Sequence, residues 1–252
     1  MGCGRSIGAV GGGLDLLDDQ GRVAADRFAA QYTALRRREG WIGPDGREDP
    51  EGGLPRLWRE RLESVAQAAT TLSSQWTGAG RPVVVDIGSG GGWAVRHFRD
   101  ADVIAIDLLD IESRPDVVQV RADMRSLPLR DSTVDVAFYA ASLHYAPVSD
   151  SIGEAARVLR RGGLLVAVDS PMYSDRRRQV LAEARSAAYY AEAGFPGLAA
   201  HYHPIDVEAL RAALAARGFD VLRLEVGRTA RRWWDRLGRP ERSFLVARLS
   251  PG

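Results

Sequence analysis

Asp86, Gly88, Gly90 and Gly92 stand at alternate positions directly after the apolar run Val83-Val84-Val85. A buried strand that ends in an acid and opens into bare backbone lets a nucleotide-like ligand lie against N–H groups, as at the start of a helix. The spacing excludes the dinucleotide fingerprint, because G-x-G-x-x-G begun at Gly88 needs glycine at position 93, where Trp93 stands. A second apolar strand, Val103 to Ile106, ends at Asp107, about twenty residues past the first glycine. An acid placed there can accept both hydroxyls of a ribose. A third strand, from Val118, leads to Asp123 and Met124, and His144 follows a fourth, Val134 to Phe138. With its ordinary titration range near neutrality, His144 is the candidate general base, with packing or a shelf for the bound ligand as the alternative.

The spacing D-x-G-x-G-x-G resembles the first motif of class I S-adenosylmethionine-dependent methyltransferases. Leu127-Pro128-Leu129, Asp131, Val134 to Phe138 and Ala141-Ser142-Leu143-His144-Tyr145 resemble the methyltransferase type 11 branch. Glu154 to Leu159, the turn Arg160-Arg161-Gly162-Gly163 and the strand Leu164 to Val168 extend the resemblance, which runs from about Arg81 to Asp169. It implies S-adenosyl-L-methionine as cofactor, with Asp86, Gly88, Ser89 and Gly90 beside its methionine part. Asp107 and Leu108 then meet the ribose, Asp123 bonds the adenine amine and Met124 covers the ring. Ala140 and Ala141 close the site; Ala140 stands where relatives often carry Asn, so a polar contact there has to come from backbone. The implied fold is a Rossmann-like, doubly wound α/β sheet of seven strands. Its strand 7 is antiparallel, between strands 5 and 6. The implied activity is methyl transfer to an oxygen, nitrogen or carbon nucleophile of a small molecule. RNA or protein methylation, and a non-catalytic cofactor-binding module, are the alternatives.

The elements that must position these residues divide the chain into a flexible tail over 1–20, an N-terminal helical cap over 21–78 and the cofactor domain over 79–252. Phe28, Tyr32 and Leu35, then Leu54, Trp58, Leu62 and Val65, recur at helical intervals on either side of the break Glu39 to Gly46. As a lid, this cap brings Tyr32 to the cofactor's amino-acid end and turns Arg36, Arg37 or Trp41 toward substrate; as plain packing, it leaves a solvated face and a core aromatic. After the fifth strand an insertion over about 171–203, helical from about Arg176 to Glu192, roofs the substrate pocket. It carries His201 and His203, alternative bases whose spacing also suits two metal ligands, but no third ligand is identifiable and no metal is expected. Val207, Leu210 and Leu214 form a helix stopped at Gly218, and two strands follow, Val221 to Val226 and Phe244 to Leu249. Between them Arg231-Arg232-Trp233-Trp234 could stack on a planar or anionic substrate, or form a hairpin tip or dimer contact.

The 252 residues, 45% hydrophobic, suffice for one large core. With 34 basic and 33 acidic residues the formal charge is +1, so nothing draws the whole molecule to nucleic acid or an anionic membrane. A small-molecule acceptor is therefore the expected partner, with monomer and homodimer both open. Every basic residue is arginine, which excludes lysine Schiff-base chemistry, and the single Cys3 excludes an intrachain disulfide or an iron–sulfur cluster. The start Met1-Gly2-Cys3-Gly4-Arg5-Ser6 fits an acylation pattern, but the glycines continue to Gly13 as in a flexible tail. No stretch of about 18 apolar residues or secretion signal is seen, and a cytoplasmic location is expected.

Overall fold

A computed structural model describes residues 8–10, 13–43, 48, 55–110, 117–226 and 243–251. Cys3, Leu54 and the Arg231 to Trp234 cluster lie outside them. In chain order the elements are β1 (Gly8–Val10), β2 (Gly13–Asp15), α1 (Asp19–Arg38), α2 (Pro55–Gln75), β3 (Val83–Ile87), β4 (Asp102–Asp107), β5 (Val118–Arg121) and β6 (Val134–Ala140). Then come α3 (Val148–Val158), β7 (Leu159–Val168), β8 (Met172–Tyr173), α4 (Arg176–Glu192), β9 (Ile205–Asp206), α5 (Val207–Ala216), β10 (Phe219–Val226) and β11 (Ser243–Leu249).

Strands β5, β4, β3, β6 and β7 are neighbours in that order and all parallel. β11 runs antiparallel between β7 and β10, which is the seven-stranded, doubly wound arrangement expected. Their near-continuous apolar sequences follow from burial on both faces. Val85, Ile87, Ala137, Tyr139, Leu165 and Ala167 pack on one side, under α3 and α5. Val84, Val136, Phe138, Leu164 and Val166 alternate with them and pack on the other side, with Trp58, Val65, Ala68 and Leu72 of α2.

Three findings depart from the expectations. The tail is not a flexible extension throughout: β1 and β2 form a hairpin, and β2 joins the sheet parallel to β5, pairing Leu14 with Val120 and Asp15 with Arg121, so the sheet has nine strands. The glycine read as flexible tail is what permits this, since a Cβ on Gly13 would stand 2.7 Å from the Gln119 carbonyl oxygen. Asp15, 1% exposed, pairs with Arg22 at 3.2 Å and Arg121 at 3.6 Å.

The second departure is in the segment 21–78, which is not one cap. α2 is a layer of the sheet itself, whereas α1 packs on the insertion through Leu35, Tyr190 and Leu198. Thirdly, no α-helix follows the glycine loop; the chain passes through turns into one 3-10 turn, Val95–His97. Trp93 meets Trp58 edge-on at 5.2 Å and Phe98 meets Phe138 at 4.8 Å, so α2 with these rings fills the layer that such a helix would occupy. The insertion leaves and rejoins the core at the short parallel pair β8 and β9, where Ile205 N donates to Pro171 O at 2.8 Å.

Candidate active site

All five parallel strands end beside one cavity of about 640 Å³, walled above by α1, α2 and the insertion. A cleft at the carboxyl ends of such strands is where this architecture binds ligands. Gly88, Gly90 and Gly92 all have positive φ, at 72°, 54° and 71°, which explains their alternate spacing. A Cβ on Gly88 would fall 2.5 Å from the Ser142 Cβ, and Ser142 in turn donates from Oγ to Ile87 O at 2.5 Å. Asp107, at the end of β4, accepts from Gly90 N at 2.8 Å through Oδ2 and from Leu109 N at 2.9 Å through Oδ1. Burial raises its carboxyl above the usual range even so.

Behind the loop Asp86 is fully buried, and neither carboxylate oxygen has a hydrogen-bond partner. Burial, with Asp107 and Glu48 nearby, pushes it up to about 8. Glu48 accepts from Gly91 N at 2.5 Å, and burial carries it to about 7 in spite of that donor. Three carboxyls with raised pKa around one loop form a site short of positive charge. Asp123 differs: burial pushes it up, but hydrogen bonds from the Arg125 guanidinium, the shortest 2.6 Å, and from its backbone N–H at 2.8 Å outweigh that and hold it low. Met124 lies beside it in the cavity wall.

Across the cavity the rings of Phe28, Tyr32, Tyr145, His144, Tyr202 and Tyr190 follow one another with centroids 4.4–6.0 Å apart. His201 stacks obliquely on Phe28 at 4.7 Å, and His203 N donates to His144 O at 2.8 Å. Arg36 pairs with Glu39 at 2.6 Å and donates to the Tyr145 hydroxyl at 3.2 Å. His144 is 6% exposed, with Nδ1 3.5 Å from Ser170 Oγ. Burial first, then Arg61 and Arg36, lower its imidazole to about 3. Both effects work against protonation of this ring, and so against the general-base role expected of it.

The family model described as "Hypothetical methyltransferase" matches residues 64–182. Over these residues, just under half of its length, the chain is similar to that methyltransferase family. It is 31% identical over 102 residues to the 25S rRNA (adenine(645)-N(1))-methyltransferase of Schizosaccharomyces pombe, covering 40% of this chain and 32% of that protein. It is 38% identical over 96 residues to Ribosomal RNA-processing protein 8 of Mus musculus, covering 38% and 20%. The chain therefore spans a third or less of the length of these curated relatives. Geranyl diphosphate methyltransferase, solved with GPP and sinefungin, superposes with a TM-score of 0.56 at 16% identity, covering 92% of this chain and 100% of that one, and shows the shared fold.

The chain's own residues fit S-adenosylmethionine: a loop with no Cβ in the way, an Asp86 behind it that has no hydrogen-bond partner among the described residues, Asp107 at the second strand end and room for an adenosyl group. Of the residues singled out in the sequence, Tyr32, Gly88, Gly90, Asp107, Leu108, Asp123, Met124, Ala140, Ala141 and His144 all line the cavity. Asp86 and Ser89 are buried behind the loop instead, and Arg37 is exposed while Arg36 and Trp41 face the cavity. Ala141 has φ 54° and donates its N–H to Val168 O at 2.8 Å, so this backbone turn is committed to the core. Among the cavity residues that were not foreseen are Glu48 and Arg61. Arg61 flanks the apolar stripe of α2 three residues after Trp58, the one signal that could have marked it; for Glu48 the sequence offers none.

Proposed function

We propose that the protein transfers the methyl group of S-adenosylmethionine to a small, flat acceptor seated in the aromatic half of the cavity. The observation that carries this reading is the chain of rings from Phe28 to Tyr190, which faces the glycine loop across one enclosed space. Rings in contact with rings offer planar faces about as wide as an aromatic or heteroaromatic acceptor. The cofactor, when bound, supplies an electrophilic methyl carbon. The chain's task is then to hold a nucleophile in line about 3 Å away and to keep water out. Gly88 and Gly90 admit the donor body, Asp107 is the ribose ligand, Asp123 and Met124 border the base, and the ring belt sets the acceptor's plane. His144 belongs to that belt as a neutral ring. The acceptor's proton must therefore leave an atom that is acidic already or is made so by Arg36 and Arg61.

An RNA acceptor is the second reading, favoured by the ribosomal names of the two relatives and by Arg36, Arg61, Arg125 and Arg185 in the cavity wall. Labelled S-adenosylmethionine offered with hydroxylated and aminated aromatic compounds, and separately with ribosomal RNA, decides between them. Label in extracted small molecules is expected. Label confined to RNA replaces the first reading by the second, and donor binding with no transfer leaves a cofactor-binding module.

A further inference from the structure

Arg61 of α2 is a guanidinium in the cavity wall that Asp169 and Glu48 reach electrostatically but that no described carboxylate pairs with directly. Among the described residues it makes no hydrogen bond and no ion pair. Its flat faces are used: the group lies 4.3 Å from the Trp41 ring centroid and 5.7 Å from that of Trp58. Arg36 flanks the same Trp41 ring at 5.3 Å, and the contrast is informative, because Arg36 has both the Glu39 carboxylate and the Tyr145 hydroxyl. Stacking on rings holds a guanidinium's plane and leaves its five N–H donors aimed sideways. A guanidinium left without a direct ion pair is favoured when a ligand brings the opposite charge to its edge.

The position says which ligand. One turn further along α2, Ser64 Oγ donates to Asp169 Oδ1 at 3.0 Å, and Asp169 follows the end of β7. Arg61 thus stands over the β6 and β7 ends, near enough to His144 and Tyr145 to act on them electrostatically. Asp107 and Asp123 stand at the ends of β4 and β5, beyond β3 in the strand order. The adenosyl half and Arg61 therefore occupy opposite ends of the cavity.

We propose that Arg61 is the counter-ion of a planar acceptor that binds as an anion, its carboxylate or comparable oxyanion meeting the guanidinium edge while its ring lies along the aromatic belt. This inference names the acceptor class for the methyl transfer proposed above and rests on that reading. The cofactor's own carboxylate is the other anion within this cavity, and the experiment separates the two.

The test is fluorescence titration of the full-length protein, saturated with S-adenosylhomocysteine, by two dyes of matched shape: anilinonaphthalene sulfonate, an aromatic anion, and its uncharged counterpart phenylnaphthylamine. The sulfonate is expected to bind about tenfold tighter than the neutral dye, and Arg61→Gln to remove about that factor while moving the neutral dye by less than about twofold. S-adenosylhomocysteine affinity, read by calorimetry, stays within about threefold. Arg61→Lys, which keeps the charge but not the fork, gives the same order with a smaller loss, and serves should the Gln variant fail to fold. No preference for the sulfonate in the unaltered protein, or an equal loss for both dyes, overturns the proposal. So does a roughly tenfold loss of S-adenosylhomocysteine binding, which would give Arg61 to the cofactor's carboxylate. If no acceptor is ever methylated but the dye preference still depends on Arg61, the anion site stands and methyl transfer falls.

Discussion

The Glu48 carboxylate accepts a 2.5 Å hydrogen bond from the Gly91 N–H, so a side chain from ahead of α2 rests on the loop that follows β3. It lies so close that a Cβ on Gly90 would overlap it. Together with Asp86 behind the loop it makes the ligand-free site a store of protons, since burial first of all lifts these groups to about 7 and about 8.

Stability should therefore fall as pH rises. Both carboxyls have a higher pKa in the folded chain than their ordinary 4.5 and 3.8, so the folded state binds the extra protons, and its advantage is fullest below those ordinary values. It is lost as pH climbs through about 7 and 8, by about 1–3 kcal/mol for each group. Melting temperatures of the ligand-free protein between about pH 5 and 8.5 check this, and Glu48→Gln should flatten the slope. A melting temperature that rises across this window would count against the assignment.

Cofactor binding should run the opposite way. The sulfonium and ammonium charges favour ionised carboxylates, so binding near pH 7 releases protons and tightens as pH increases through the same window. Calorimetry in two buffers of different ionisation enthalpy reads the proton count directly. Equal heats in both buffers would mean that Glu48 and Asp86 do not change state.

Asp107→Ala should weaken S-adenosylmethionine binding by about 1–3 kcal/mol. The substitution removes the ribose acceptor and frees the Gly90 and Leu109 N–H groups that it holds at 2.8 and 2.9 Å. Asp107→Asn, able to accept one of those bonds, should fall between. Unchanged calorimetric affinity in the Ala variant would remove Asp107 from the site.

His144→Gln is expected to lower turnover by less than about tenfold and to leave the shape of the rate profile between about pH 6 and 9 as it was. The reason is that burial and the two neighbouring arginines hold the imidazole near 3, far outside that range. An acidic limb near neutrality that is present in the wild type and vanishes in the variant would restore His144 as general base.

Asp15→Ala should destabilise the fold by about 2–4 kcal/mol, because it strips Arg121, 8% exposed, and Arg22 of a buried partner. Asp26 still pairs with Arg121 at 2.5 Å, which sets the upper bound. Chemical denaturation measures the difference, and a loss under about 0.5 kcal/mol would reduce the edge hairpin to decoration.

What was legible in the sequence was whatever depends on residue type at fixed local spacing. Alternate glycines with positive φ admit few substitutes, and the acid at the end of β4 could be located by counting. The helix α4 could be read end to end because Asp175 caps it, accepting from Arg177 N at 2.8 Å, and Gly194 ends it at φ 86°. What was hidden depends on partners remote in sequence. Gly13 reads as flexible tail until the Gln119 carbonyl lies against it, and Arg61 is not singled out until Trp41 and Trp58 stack on it. The helix expected after the glycine loop gave way because Trp93 and Phe98 found ring partners on α2 and β6. His144 lines the cavity, but the burial and the guanidinium groups that lower its imidazole are properties of surroundings that local pattern does not encode.

The pairing of β2 with β5 also fixes an order of events during synthesis. Asp15 emerges from the ribosome more than a hundred residues ahead of Arg121, its partner in register, an interval of roughly 5–20 s at ordinary translation speed. Through that interval the three-residue strand has no neighbour in the sheet but its own hairpin mate, and the β3–β4–β5 unit must be complete before it can dock. The margin of the sheet beside β5 is thus completed only once β5 is made, and a bulky fusion ahead of Gly8 would weigh on that step rather than on the core.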